Sequence, residues 1–434
     1  MNSLLDSFQQ KYPYPIALAQ VCRHWRTVAL DAPTLWTNIF IMEYHTEGAR
    51  EAARTYLDRS KTCPIFLTWF SELEHPRTDP RAVIESLIIP GAERWQRITL
   101  ISENDSSPVA LFATMASLDF TVLRDIEISY LTGNLRPAKV SLCHNAPLLR
   151  RCRLRRVPFF PSLPSNLVVL DCVYSMLGRE RFDLDPLLEF LPHVSHSLEH
   201  LRFGPPTQVR YTPRTSKIPL ENLKSLSLEN YPAIVNHIYT PNLVYFAALS
   251  PDVDRDAAEM FEGFSAPMLK SIRFHDVSLQ PVLTSHHLPS IFPQLESVIL
   301  SGCTGESAFV DLLKPPEPKN PPSLQQASEY PPKHQEVENP FPSLKELTIS
   351  DMDIWTSLQA AIEKRLKNGD ESLRKIRLPK GELAEAILYH RQWPLPAQDI
   401  ELVLYESGEL STSTPESQDD FCYKETSIFL ANTH

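Results

Sequence analysis

Pro293-Gln-Leu-Glu-Ser-Val-Ile-Leu-Ser-Gly-Cys303 carries the pattern from which the fold is read. Leu295, Val298 and Leu300 follow one spacing: apolar, two residues, apolar, one residue, apolar. The last two alternate with residues under no such constraint, which is how a strand buries one face. The same spacing recurs outward in both directions. Before it come Trp95/Ile98/Leu100, Leu123/Ile126/Ile128, Leu149/Cys152/Leu154, Leu167/Leu170/Cys172 and Leu198/Leu201/Phe203. Leu223/Leu226/Leu228, Leu243/Phe246/Ala248 and Leu269/Ile272/Phe274 follow these. After it come Leu344/Leu347/Ile349, Leu373/Ile376/Leu378 and a weaker Ala397/Ile400/Leu402. The central residues mostly lie 18 to 31 positions apart, and the longer gap from Val298 to Leu347 contains an insertion. A Pro or Asn precedes many of the triplets, as in Pro241-Asn-Leu243 and Pro342-Ser-Leu344.

Recurrence at such intervals is the signature of a leucine-rich-repeat solenoid. Each triplet predicts a short strand, and a helix or irregular turn returns the chain. Stacked strands then form a parallel sheet on the concave face. The expected fold class is therefore α/β, with a short helical N-terminus ahead of an irregular solenoid. Helices are predicted at Glu47–Ser60, Arg81–Ile89, Pro108–Phe120, Pro186–His196, Thr356–Lys367 and Glu382–Arg391, with a strand at Pro64–Phe70. The repeats depart from the family pattern at one slot. A polar Asn or Cys is expected three positions after the last apolar residue, and Cys303 matches. Elsewhere the slot holds Leu131, Val157, Tyr231, Val277 or Met352. The backbone turns must then be satisfied by other means. Pro315–Pro342 has nine prolines and few apolar residues, so it reads as a disordered loop on the array. The tail from Glu406 is acidic and Ser/Thr-rich.

A different pattern occupies Ile16–Ile39. Leu18, Val21, Cys22, Trp25 and Ala29 fall at helical spacing on one face. Asp31 and Pro33 end that helix, and Pro33 suits the first turn of a second one carrying Leu35, Trp36 and Ile39. Two short helices with two tryptophans cannot bury themselves alone. On Leu18, Val21, Cys22, Trp25, Ala29, Pro33, Leu35 and Trp36, the stretch resembles the second half of an F-box in its fungal, basidiomycete-type form. The Leu-Pro-x-Glu helix with which an F-box opens has no counterpart in Met1–Pro15, where Leu4, Leu5 and Phe8 are the apolar residues. The resemblance implies docking onto the Skp adaptor and, through it, a cullin-RING ubiquitin ligase. The implied anchors are Trp25, Leu35 and Trp36, flanked by Leu18, Val21, Cys22 and Ile39. Tyr56–Leu67 resembles the segment that follows the F-box in these families.

The resulting division is 1–45, F-box-like helices; 46–94, a linking helix-strand-helix segment; 95–405, the repeats with their insertion 315–342; and 406–434, the tail. Composition narrows the function. The 434 residues are 42% hydrophobic, enough for a substantial core, and the formal net charge of −11 argues against nucleic-acid or anionic-membrane binding. The 39 prolines and 11 glycines suggest stiff connections and few phosphate-cradling loops. Seven scattered cysteines with no Cys-x-x-Cys read as reduced thiols of a cytoplasmic or nuclear protein. No apolar run reaches the length of a membrane span, and no signal peptide is recognisable.

Residues beside the apolar triplets point away from the core and define a second surface. Its rows carry Arg97 and Thr99, then Asp125 and Glu127, then Arg151, Arg153 and Arg155. Asp171, His200 and Arg202, Ser225 and Ser227, Tyr245, and Arg273 and His275 follow, and late rows carry Glu346, Thr348, Lys375 and Arg377. Two readings stand: a self-satisfied ladder of lateral ion pairs, or a patch for an acidic or phosphorylated target. The second would use Arg151, Arg153, Arg155, Arg202 and Arg273. No Gly-x-Ser-x-Gly, phosphate-binding glycine loop or His-Glu-x-x-His occurs, and His196 and His200 fall on different elements. No catalytic residue, metal site or cofactor is expected. The implied role is the substrate-recognition subunit of a ligase; a repeat scaffold without a ligase role is the alternative.

Overall fold

Two compact units, 1–223 and 224–434, make up the chain. The computed structural model describes residues 15–42, 47–71, 89–102, 115–130, 145–157, 163–174, 182–204, 209–210, 212, 216–229, 232–249, 264–279, 291–314, 341–350, 355–367, 372–379 and 400–405. The predicted helix Glu382–Arg391, the tail from Glu406, and most of Arg81–Ile89, Pro108–Phe120 and Pro315–Pro342 lie outside them.

The first unit opens with helices α1 (Pro15–Val21) and α2 (Arg23–Asp31), then a 3-10 turn at Pro33–Trp36. Strand β1 (Asn38–Met42), helix α3 (Glu47–Arg59) and strand β2 (Ile65–Ser71) follow. Then come β3 (Trp95–Ser102), β4 (Asp125–Tyr130), β5 (Arg151–Arg155), β6 (Val169–Val173), helix α4 (Asp185–Val194) and β7 (His200–Gly204). β1 to β7 pair side by side in chain order, all parallel. The second unit holds β8 (Ser225–Glu229), β9 (Tyr245–Leu249), β10 (Ser271–His275) and β11 (Ser297–Ser301). Helix α5 (Glu306–Leu313), β12 (Glu346–Thr348), helix α6 (Trp355–Lys367), β13 (Lys375–Pro379) and β14 (Glu401–Tyr405) complete it. These seven strands also pair parallel in chain order. The architecture is α/β with a short helical N-terminus and extensive parallel pairing.

The register puts the predicted triplets in line. Ile98, Ile126, Cys152, Leu170 and Leu201 are neighbours across the first unit. Leu226, Phe246, Ile272, Val298, Leu347 and Ile376 are neighbours across the second. All are buried. Each such side chain contributes about 1.5–3 kcal/mol on leaving water. Helices cover parts of this face: Leu187, Leu188, Leu191 and Val194 of α4, Phe309, Val310 and Leu313 of α5, and Leu358, Ala361 and Ile362 of α6 are buried.

Two elements of the N-terminal region differ from expectation. The helix predicted through Ile16–Ala29 is broken at Cys22, whose φ of −159° and ψ of 175° are extended. Its carbonyl accepts Arg26 N–H, and Arg26 Nε reaches back 2.8 Å to the Ala19 carbonyl, satisfying the end of α1. The second predicted helix is only the 3-10 turn, and Ile39 lies in a strand. Ile39 and Ile41 are buried while Phe40 between them is exposed, a period of two. Pairing with β2 supplies backbone partners that a helix of this length would lack. Parallel pairing thus begins at Asn38, ahead of the first predicted triplet at Trp95.

The prolines have a structural role. A four-residue turn, closed by an N–H to C=O bond, precedes the strands at Ala146–Leu149, Thr240–Leu243, Ala266–Leu269, Phe292–Leu295 and Phe341–Leu344. Its second residue is Pro147, Pro241, Pro267, Pro293 or Pro342. Proline presets the backbone angle required there and lowers the entropy of the unfolded chain. Side chains link successive turns in the first unit, where Asn166 donates to the Pro147 carbonyl and Asn222 to that of His196.

At the other strand ends, the slot expected to be polar is filled by Val157, Val277 and Cys303, all buried. In each case the preceding residue has a positive φ: Arg156 at 56°, Asp276 at 52° and Gly302 at 66°. Arg156 and Asp276 N–H groups donate to the carbonyls of Val173 and Ser301 on the next strand. These two turns are closed by backbone bonds to the following strand, while Gly302 N–H donates to the Ser350 hydroxyl, so no side-chain amide is required at any of the three.

Candidate functional site

The N-terminal helices divide their apolar residues between two destinations. Trp36 is fully buried. Its Nε1 donates 2.7 Å to the Ala29 carbonyl, its ring meets Tyr56 edge-on at 5.1 Å, and the Arg59 guanidinium stacks 4.3 Å from its centroid. Ile39 is buried with it. These two members of the proposed anchor set hold α2 and the 3-10 turn against α3. Arg94 secures the far end of α3, donating to the Leu57 and Cys63 carbonyls and to Ser60 Oγ.

The other members face outward. Val21 is 66% exposed and Trp25 48%, while Cys22 and Leu35 are also exposed and Leu18 is half-buried. Ile16, Val28, Leu30 and Phe40 join them. Seven of the twelve exposed large apolar side chains among the described residues thus fall between positions 16 and 40. Scattered apolar side chains are ordinary on a surface, and their concentration in one short segment sets this one apart. Val28 was missed in the sequence reading, although its place one helical turn beyond Trp25 could have revealed it.

The polar strand face differs between the units. In the first, Thr99, Glu127, Arg153, Asp171 and Arg202 line up across neighbouring strands, as the triplet spacing implies. Asp125 lies 3.5 Å from Arg97 and 3.8 Å from Arg151. Arg155 lies 3.6 Å from both Glu127 and Asp171. Arg153 is buried among them and Arg202 half-buried. Arg151 and Arg155 therefore belong to lateral ion pairs. In the second unit Arg377 bonds Glu346 and Lys375 lies 3.3 Å from Glu401, but Arg273 has no such neighbour among the described residues.

The thiols report on the same geometry. Burial pushes the Cys172 thiol well above its usual range and that of Cys303 up to about 11. Cys22 is exposed at the α1–α2 break. Thiolate fraction and access together set the rate of alkylation. Iodoacetamide should therefore modify Cys22 in the folded chain while Cys152, Cys172 and Cys303 react only after denaturation. Peptide mass mapping checks the order, and early labelling of Cys172 would contradict its place in the core.

No helix among the described residues is long and apolar enough to cross a membrane. Comparison with curated proteins gives no match. The family model described as F-box-like matches residues 16–42, the span of α1, α2, the 3-10 turn and β1. The chain therefore carries an F-box-like domain, and it is the segment in which the exposed apolar side chains concentrate.

Proposed function

We propose that this chain is the substrate-recognition subunit of a Skp-cullin-F-box ubiquitin ligase. The observation that carries the proposal is the outward row of Val21, Trp25, Val28 and Leu35 on the F-box-like segment. F-box domains bind Skp adaptors, and an apolar helix face of this kind fits a groove on such a partner. The repeated triplets and parallel strands support a leucine-rich-repeat solenoid whose polar face holds a target protein. Other subunits of the ligase transfer ubiquitin, so this chain needs neither catalytic residue nor cofactor. The cytoplasm or nucleus is the setting that such a ligase implies.

Co-expression with a fungal Skp adaptor, followed by affinity capture, tests the proposal. The expected result is a stable pair in which Cys22 is protected from iodoacetamide. Failure to retain the adaptor would overturn the ligase role and leave a repeat scaffold that binds proteins without it.

A further inference from the structure

Arg273 points outward from β10 at the middle of the polar strand face of the second unit, yet it is only 4% exposed. Its Nε is sealed from solvent with no hydrogen-bond acceptor. The register sets Ala247 on one side and Ile299 on the other. Ser271 and His275 flank it along its own strand, and Ser297 and Ser301 lie diagonally on β11. Among the described residues, no carboxylate occupies a neighbouring position on this face. The acidic groups farther off have their own partners: Glu346 holds Arg377, Glu401 holds Lys375, and Asp276 lies 3.4 Å from His275. Two further polar atoms in the same column are sealed without partners. These are Ser227 Oγ, on a residue 4% exposed, and Thr348 Oγ1, on a residue 1% exposed. Each stands two strands from Arg273, about 10 Å away.

A guanidinium removed from water without a counter-ion is costly, so buried charges are ordinarily paired. Arg97, Arg151 and Arg155 in the first unit obey that rule. We propose that Arg273 is the centre of an anion-binding subsite whose occupant is a carboxylate or phosphoryl group on the bound target polypeptide. The ligand's oxygens then meet the Nη fork rather than the sealed Nε. That fork binds two oxygens of one oxyanion, and the hydroxyls of Ser271 and Ser297 are donors for the others. A single arginine among serines suits one acidic side chain. It does not suit a polyphosphate or nucleic acid, which needs several cations in a row. The inference rests on the target-holding role assigned to the polar face.

Thermal unfolding of the full chain tests it, with inorganic phosphate and two capped tripeptides, acetyl-Gly-phosphoserine-Gly-amide and acetyl-Gly-Glu-Gly-amide, at millimolar concentration and matched ionic strength. The unfolding midpoint should rise by about 2 °C or more with at least one peptide. The larger rise identifies the phosphoryl or the carboxylate source. Arg273→Gln should abolish the rise and Arg377→Gln should keep it. Without any anion, Arg273→Met should unfold no earlier than the native chain, because it removes an uncompensated buried charge. An unchanged native midpoint, an undiminished response in Arg273→Gln, or earlier unfolding of Arg273→Met would each overturn the subsite. Adaptor capture is scored on the same variants. Capture without an anion response sinks this inference alone, and an anion response without capture sinks the ligase role alone.

Discussion

Trp36→Ala is expected to destabilise the first unit by about 3–5 kcal/mol, the range for deleting a fully buried large aromatic. Three contacts disappear together. The Ala29 carbonyl loses its indole donor, Tyr56 loses its edge-on neighbour, and Arg59 loses the ring beneath its guanidinium. The aromatic and cation–π contacts each add about 0.5–1.5 kcal/mol beyond burial. For a unit of this size the unfolding midpoint should fall by roughly 10 °C. Trp36→Phe keeps most of the burial but not the donated N–H, so its cost should be about 1–2 kcal/mol. Calorimetry on the full chain decides the matter, and a midpoint within a degree or so of the native value would show that Trp36 does not join α2 to α3.

Val21→Asp combined with Trp25→Ala should behave in the opposite way. Val21 is 66% exposed and Trp25 48%, so the loss of folding stability should stay at about 1 kcal/mol per site, well below that of Trp36→Ala. Adaptor affinity should fall by a factor of about 100 or more. An apolar anchor at an interface centre is worth about 2–4 kcal/mol, and a carboxylate placed there must be desolvated without a partner. Capture of the co-expressed adaptor, quantified by titration calorimetry, gives the factor. Undiminished binding would place the adaptor contact elsewhere and would remove this row from the proposed function. The two experiments separate roles that the two tryptophans share on paper, since Trp25 faces outward and Trp36 faces the chain.

Much of the strand register was legible in the sequence. The spacing of Leu295, Val298 and Leu300 marks one inward face, and the same spacing elsewhere puts Ile98 beside Ile126 and Phe246 beside Ile272. Periodicity succeeds here because burial of one strand face is a local demand on sequence. Helices α3, α4 and α6 were legible for the same reason, within a few residues at their ends. Helix α5 was missed, although Glu306, Phe309, Val310 and Leu313 share one buried side. The break at Cys22 and the strand at Asn38–Met42 were not legible. The first depends on Arg26 reaching the Ala19 carbonyl, and the second on an open edge of β2, which lies more than twenty residues ahead.

The candidate sites divide along the same line. By itself the sequence determined that Ile16–Ile39 is amphipathic, that strands recur with a regular inward triplet, and that Arg151, Arg155 and Arg273 lie on the polar face. Each follows from residue type and period, which are properties of neighbours along the chain. Only the tertiary structure decided which apolar side chains of the first segment stay outside, and which arginines have a carboxylate beside them. Trp25 and Trp36 look alike in sequence, but α3 folds back over one and leaves the other in water. Arg153 and Arg273 hold the same central strand position, but the strands beside Arg153 bring Glu127 and Asp171, while those beside Arg273 bring Ala247 and Ile299. Burial and charge pairing depend on what lies across from a residue, and a parallel strand draws that partner from some twenty to thirty residues away.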